Sequence, residues 1–422
     1  MQPLTAMRML RTTAGGTPVH HQTAECRPAR RTGCSLLAAT IAACIAGNAS
    51  GQQLLNTPTA TDIDSFTPYV TLRYTYDSNI YRLPDDAPEI GDRDDNLLLL
   101  AVGAQSRIES GQQRYEFNAE INRTLFEAHD ELDYTGGRAL AQWDWATPNG
   151  TTGTLAYAFL RSLRDFANQP GIDRVRDLRT EHRLDADALL ALAGPYRVGI
   201  RGQLADIAFD PTERLDLQRT VIGLNVGYAS PTGSIVGLDA ELMQGRYDTN
   251  KNADFDEFTV GPTLAWRPTE STDVDGRIGY TKRDNKSALR EDYDAVTGEL
   301  AIRFNNQAGR RLTARVYRDI TNLGDEVAEY ALITGISVEP AWQLSGALDL
   351  RLRATYEQRD FQATEAATNR KDDVVAAGAF VDWNLRRNVA VTFGGDMQRR
   401  SSNRALEDYD FARVQVQVTA RF

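Results

Sequence analysis

Few residues of the chain have the type and spacing that catalysis needs. Beyond residue 51 the only histidines are His129 and His182, and the chain has no Gly-x-Ser-x-Gly, His-Glu-x-x-His or phosphate-binding glycine motif. Glu181 beside His182 could orient a general base, but adjacent residues of a strand point to opposite faces. We therefore expect no enzyme, no catalytic residue and no cofactor.

Metal and disulfide chemistry is equally poorly supported. All three cysteines precede residue 50, so the rest of the chain can form neither a disulfide framework nor a thiolate metal site. An acidic run at residues 85–95 has the oxygen ligands that calcium prefers. Because such a run is also typical of a solvated loop, which we favour here, we expect no metal site.

Charged side chains are far more numerous than candidate catalytic residues, and they recur at every second position. Between residues 114 and 122, charged and amide side chains alternate with Tyr115, Phe117 and Ile121. Between residues 344 and 357, leucines alternate with arginines and other polar residues. Alternation of this kind is the period of a β-strand, with one apolar and one polar face.

The connections between these segments distinguish a membrane barrel from a soluble β-sandwich, which would also alternate. Every second connection is predicted to be a short turn, at Ser110-Gly111, Pro148 to Gly150, Gly194-Pro195, Pro231 to Gly233, Pro268 to Glu270, Asn306 to Gly309, Glu339-Pro340 and Arg386 to Asn388. The intervening connections, such as 77–95 and 164–178, are mostly longer and polar. This layout predicts an all-β, transmembrane, antiparallel up-and-down β-barrel in a bacterial outer membrane, with 18 strands; 16 and 20 stay open as alternatives.

The N-terminal region is typical of a secretory leader. Three arginines between residues 27 and 31 precede an apolar run at 36–46, which is too short to cross a membrane as a helix. Cleavage is expected after residue 51, and the alternative that Cys44 carries a lipid stays open. The predicted organisation is a leader at 1–51, a short polar segment at 52–65 and a barrel at 66–422.

Aromatic residues give an independent indication of a membrane wall. The five tryptophans all lie near proposed short turns, as expected for a periplasmic aromatic girdle: Trp143, Trp145, Trp266, Trp342 and Trp383. The last strand alternates apolar and polar residues and ends in Phe422. Such a terminal strand resembles the signal that barrel-assembly machinery recognises.

The polar face of the strands predicts a water-filled lumen, because a dry interior could not accommodate so many charges. Candidate residues for solute selectivity are Arg73, Arg114, Arg138, Arg197, Arg201, Arg277, Arg303, Arg315, Arg351, Arg353, Glu116, Glu120 and Asp349. Asp349 and Glu357 are the nearest neighbours of Arg351 and Arg353 on that face and could pair with them, but an open lumen would leave at least one guanidinium exposed to the solute. Whether these charges only solvate the wall or also guide a solute stays open at this point.

Arg-Asp pairs beside an apolar residue recur where strands approach the predicted external side. Examples are Arg164-Asp165-Phe166 and Arg359-Asp360-Phe361. The favoured interpretation is a rim of salt bridges that ends the strands. The alternative is a set of aromatic and charged groups suited to sugar rings.

The segment from Thr71 to Pro84, TLRYTYDSNIYRLP, resembles the opening of the exopolysaccharide-biosynthesis outer-membrane barrels of the EpsL type, grouped with putative β-barrel porin 2. The resemblance implies a porin-like conduit for a polysaccharide or sugar solute. The alternatives are a structural component with an occluded lumen, working with other export-complex proteins, and a general small-solute porin. Further expected partners are outer-membrane lipid, lipopolysaccharide and barrel-assembly machinery; a net charge of −11 argues against nucleic acid.

Overall fold

A computed structural model describes residues 66–85, 87, 92–169, 174–192, 194–287, 292–321, 330–362 and 370–422. The predicted leader at 1–51 and the polar segment at 52–65 lie outside these residues. The described strands are β1 Thr67–Asp77, β2 Asp95–Ser110, β3 Gln113–Phe126, β4 Tyr134–Ala146, β5 Thr152–Leu163, β6 Leu178–Ala191, β7 Tyr196–Asp210, β8 Leu217–Ala229, β9 Ile235–Tyr247, β10 Phe255–Thr269, β11 Thr272–Asn285, β12 Tyr293–Asn305, β13 Arg310–Thr321, β14 Tyr330–Ser345, β15 Leu348–Gln362, β16 Lys371–Arg386, β17 Val389–Ser402 and β18 Tyr409–Arg421.

These strands form one closed sheet. Each strand pairs antiparallel with the next, and β1 pairs with β18 from Tyr69 opposite Arg421 to Asp77 opposite Arg413. The predicted 18-stranded antiparallel barrel is therefore confirmed. Within the described part of the chain, four short 3-10 helices lie in the longer connections, at Asp130–Leu132, Phe166–Asn168, Glu213–Leu215 and Lys251–Ala253. Among the described residues, no helix is long and apolar enough to cross a membrane.

Short and longer connections alternate around the barrel, as predicted. The turns at 111–112, 270–271, 346–347 and 387–388 gather at one end, which the short-turn rule assigns to the periplasm. The longer connections, including those that follow β1 and β5, leave the strands at the opposite, external end. The turn predicted at Pro268 to Glu270 is displaced slightly, because β10 continues to Thr269.

The turn predicted at Glu339-Pro340 is wrong. Strand β14 runs through Pro340 to Ser345, and the chain reverses at residues 346–347 instead. Pro340 pairs with Leu312 of β13, while the ladder to β15 is interrupted between Val338 and Ala341. Proline lacks a backbone N–H, so it interrupts the ladder locally without having to end the strand. The alternating segment predicted at 344–357 therefore spans this turn.

The two faces of the wall differ in chemistry. Outward side chains are apolar and exposed, for example Leu72 at 47%, Ile222 at 60% and Val414 at 60%. Inward side chains are largely polar or charged, and large ones lean over small neighbours: the Tyr69 ring covers Gly103, where a Cβ atom would lie 2.5 Å from it. Alternation along each strand therefore separates a membrane-facing surface from a polar lumen.

Candidate functional site: the charged lumen

Strand register places all thirteen candidate selectivity residues on the inward face. Arg114, Glu116 and Glu120 share that face with their cross-strand neighbours on β4, including Arg138 opposite Glu120. Asp349 shares it with Asp382, its direct partner on β16. The predicted alternation of inward and outward side chains therefore gives their positions correctly, whereas their contacts depend on neighbouring strands.

Arg351 and Arg353 pair across the sheet and not with Asp349 or Glu357, the two candidates on their own strand. Arg351 Nε donates to Asp382 of β16 at 2.6 Å, and Arg353 Nε donates to Glu339 of β14 at 2.9 Å. Asp349 instead contacts Arg311 at 3.5 Å. Carboxylates directly or diagonally across the sheet lie within reach of a guanidinium, so they compete with same-strand neighbours.

Most of the other lumen arginines also lie beside a carboxylate. Arg201 contacts both Asp239 and Glu241 at 2.6 Å. The remaining candidate pairs are Arg114–Glu116, Arg138–Glu120, Arg277–Asp319, Arg303–Asp275 and Arg315–Glu299. Arg197 differs, because its guanidinium donates to the backbone oxygens of Gly194 and Tyr196. Most charges on the lumen wall are therefore neutralised in arginine–carboxylate ion pairs.

Arg73 is the exception in the middle of β1. Within the described ranges it makes no hydrogen bond and no ion pair. Its charged neighbours are Arg413, Arg138 and Glu120, and Glu120 is already bonded to Arg138 and to the Tyr69 hydroxyl, each at 3.0 Å. The side chain is half-buried on the lumen face. Arg73 therefore presents a positive charge to the lumen that no neighbouring carboxylate neutralises directly.

The segment that carried the family resemblance is anchored across the external mouth. Arg82 forms a two-point ion pair with Asp77 at 2.8 and 2.7 Å, and its guanidinium lies 3.7 Å from the ring centre of Phe411. The Asn79 side chain donates to the backbone oxygens of Leu83 and Asp410. We call these contacts of Asp77, Asn79 and Arg82 the β1 latch.

Electrostatics stabilise the β1 latch despite its burial. Burial by itself disfavours the charged form of Arg82, but the adjacent Asp77 carboxylate outweighs it and raises the pKa of Arg82 above its ordinary value. The latch joins β1 to β18, two strands from opposite ends of the barrel sequence. It thereby fixes the start of the 78–94 connection over the seam that closes the sheet.

Two further connections pack onto the same loop. The Tyr81 hydroxyl donates to Glu131 at 2.8 Å, and the Tyr81 ring lies 5.1 Å from that of Phe166. Arg174 donates to the Tyr81 carbonyl at 3.1 Å, and burial lowers the pKa of Arg174 to about 10. The external connections from β1 to β6 therefore pack against one another on this side of the barrel.

Sequence reasoning missed a recurring stack of arginine, aromatic ring and carboxylate inside the external end. Arg283 lies 3.9 Å above the Phe255 ring and contacts Glu257 at 2.8 Å. Arg359 pairs with Glu357 rather than with the adjacent Asp360. The predicted rim of salt bridges is therefore present in part. Each arginine pairs with a carboxylate on its own face of the strand, because the aspartate next to it in sequence points to the other face.

The terminal and aromatic candidates lie on the outer wall. All five tryptophans face outward just before short turns at the periplasmic end; Trp266, for example, is 50% exposed. Phe422 is 75% exposed, and its backbone N–H donates to Pro68 across the closing seam at 2.9 Å.

A closed, even-stranded barrel with an apolar outer face and an ionic lumen satisfies all its backbone groups within a membrane. These features define the class: the chain is an outer-membrane β-barrel with a porin-like fold, located in the bacterial outer membrane. More particularly, residues 246–422 match the family described as "Putative beta-barrel porin 2".

Comparison with solved structures gives proteins of low sequence identity. The outer membrane protein opdK from Pseudomonas aeruginosa is 10% identical, with 86% of this chain and 100% of that chain covered and a TM-score of 0.45. A BenF-like porin from Pseudomonas fluorescens Pf-5 is 9% identical, with 85% and 100% covered and a TM-score of 0.48. OccAB3 from Acinetobacter baumannii is 8% identical, with 85% and 100% covered and a TM-score of 0.46. No curated protein matches the chain.

Proposed function

We propose that the barrel is a passive pore for small polar solutes, with a preference for those that carry a negative group. The observation that supports this most is the ionic lumen, in which paired charges line the wall and Arg73 adds an unpaired one. Barrels of this strand number enclose an aqueous channel, and charges on the lumen face set ion selectivity. An anionic group passing Arg73 would gain a charge-assisted hydrogen bond that the wall does not already satisfy.

The external connections that pack onto the β1 latch favour small solutes over a polymer. The β1 latch and the connections packed onto it reduce the opening on the side of β1 to β6. A conduit for exopolysaccharide is the second candidate, and it rests on the resemblance of residues 71–84. A structural component of an export complex, with a closed lumen, is the third.

Planar bilayers and liposome swelling separate these candidates. We expect steady conductance, and swelling rates that fall steeply with solute size from monosaccharides to oligosaccharides. Equal passage of long oligosaccharides would favour the polymer conduit. No conductance at any voltage, from protein shown to be folded, would contradict the pore proposal.

A further inference from the structure

A groove of about 830 Å³ lies on the outer surface of the barrel, at the external ends of β3 to β6. Ile121, which is 62% exposed, and Phe159 line its apolar part. Gly137 lies directly opposite Ile121 in the register and also lines the groove. Ile121, Phe159 and Gly137 share the outward face with Phe117 and Tyr157, so this part of the groove faces the membrane.

Three arginines line the upper part of this groove, and all three are exposed. Arg123 is paired with Asp133 at 3.1 Å. Arg161 and Arg176 form no hydrogen bond or ion pair with any residue that the structure describes. Arg161 is directly opposite Gly137 on the same outward face.

Carboxylates in the groove do not neutralise these two arginines. Asp133 is held by Arg123 and by the backbone N–H of Phe126 at 2.8 Å, and Glu131 accepts the Tyr81 hydroxyl. Glu120 also lines the groove, but its side chain is bonded on the lumen side to Arg138 and the Tyr69 hydroxyl, and Asp130 is the fourth acidic residue on the lining. The groove thus combines an apolar floor with two available guanidiniums at its external end.

We propose that this groove binds a phosphorylated lipid of the outer leaflet. Its phosphate lies between Arg161 and Arg176, and an acyl chain lies along Ile121 and Phe159. Guanidinium groups suit phosphate because they donate two parallel hydrogen bonds. Basic side chains at the headgroup level attract anionic lipid, whereas an unpaired arginine facing hydrocarbon deeper in the wall destabilises a barrel. This site does not depend on the proposed transport function.

Native mass spectrometry of the full, folded chain in detergent, titrated with bisphosphorylated lipid A, tests the proposal. We expect the wild type to retain one lipid preferentially, and Arg161→Glu or Arg176→Glu to weaken its binding by at least about fivefold each. Arg399→Glu is the matched control, because Arg399 is another exposed arginine on the outward face near the external end, on β17. Binding by this control should be unchanged.

An equal loss of lipid binding in Arg399→Glu and in the groove variants would overturn the proposal. It would mean that any exposed arginine on the outer face attracts the anionic lipid, without a specific site. Displacement of the lipid by inorganic phosphate at equal concentration would also overturn it, because a free-phosphate site would have no need of the apolar floor. Heat-dependent mobility on SDS gels reports folding. Arg176 lies in a connection outside the strands, so its variant keeps the test decisive if Arg161→Glu fails to assemble. Conductance of both variants should equal that of the wild type.

Discussion

At the scale of single residues, Arg73 is the lumen charge whose removal should have the clearest effect. No neighbouring carboxylate pairs with Arg73, whereas Arg351 forms an ion pair with Asp382. We expect Arg73→Glu to shift the reversal potential in a salt gradient toward cation selectivity, because lumen-facing substitutions change selectivity without destabilising the wall.

The control for this prediction is Arg399→Glu, which makes the same charge change on the outer face. It should leave the reversal potential unchanged. The same shift in both variants would mean that net charge, and not the position of Arg73 in the lumen, determines selectivity.

Close packing of rings over glycines gives a second residue-scale prediction. A Cβ atom at Gly245 would overlap the Phe255 ring, which supports the buried Arg283–Glu257 pair. Gly245→Ala should therefore lower the free energy of unfolding by about 1–3 kcal/mol, as over-packing does elsewhere. Urea unfolding in detergent measures it.

Two variants show whether this effect is steric. Gly202→Ala should cost much less, because its Cβ atom would have no neighbour closer than 4.0 Å. Combining Gly245→Ala with Phe255→Leu should restore part of the loss through pairwise coupling. Additive losses in the double variant would contradict the proposed overlap.

At the scale of elements, the β1 latch should control the external opening. Arg82→Ala removes the pair with Asp77 and the contact with Phe411, leaving a buried carboxylate without its partner, which is costly. We expect the 78–94 connection to detach and the single-channel conductance to rise, while the barrel stays folded because its strands are untouched.

Arg93→Ala is the matched control in the same connection. Arg93 contacts Asp85 at 3.6 Å, and that carboxylate is 95% exposed, so the pair contributes little. Its conductance should equal that of the wild type. An unchanged conductance in Arg82→Ala would show that the latch does not limit the opening.

For the whole molecule, closure of the sheet depends on pairing between the first and last strands. Phe422 ends the chain at this seam and is bonded to Pro68. We predict that Phe422→Ala slows assembly in cells, measured as the folded fraction by heat-dependent gel mobility. Phe393→Ala, which removes another outward phenylalanine that is 45% exposed, should assemble at the normal rate. Equal defects would mean that lost apolar surface, and not the terminal position, is responsible.

The sequence alone predicted 18 strands, with 16 and 20 left open, and it predicted which residues face inward or outward and most of the turns. These features follow from local rules: a period of two along each strand and residues such as Pro148 to Gly150 between strands. The error at Glu339-Pro340 has the same origin, because a proline signals a turn locally but fits a strand where the sheet tolerates a missing hydrogen bond.

Only the tertiary structure decided which charges meet. The partner of Arg351 is Asp382 rather than Asp349, and Arg82 lies against Phe411 of the last strand. Such contacts depend on the register between strands and on closure of the barrel, which bring residues far apart in sequence together. Alternation places a side chain on a face, whereas the position of a neighbouring strand along that face determines which partner it reaches.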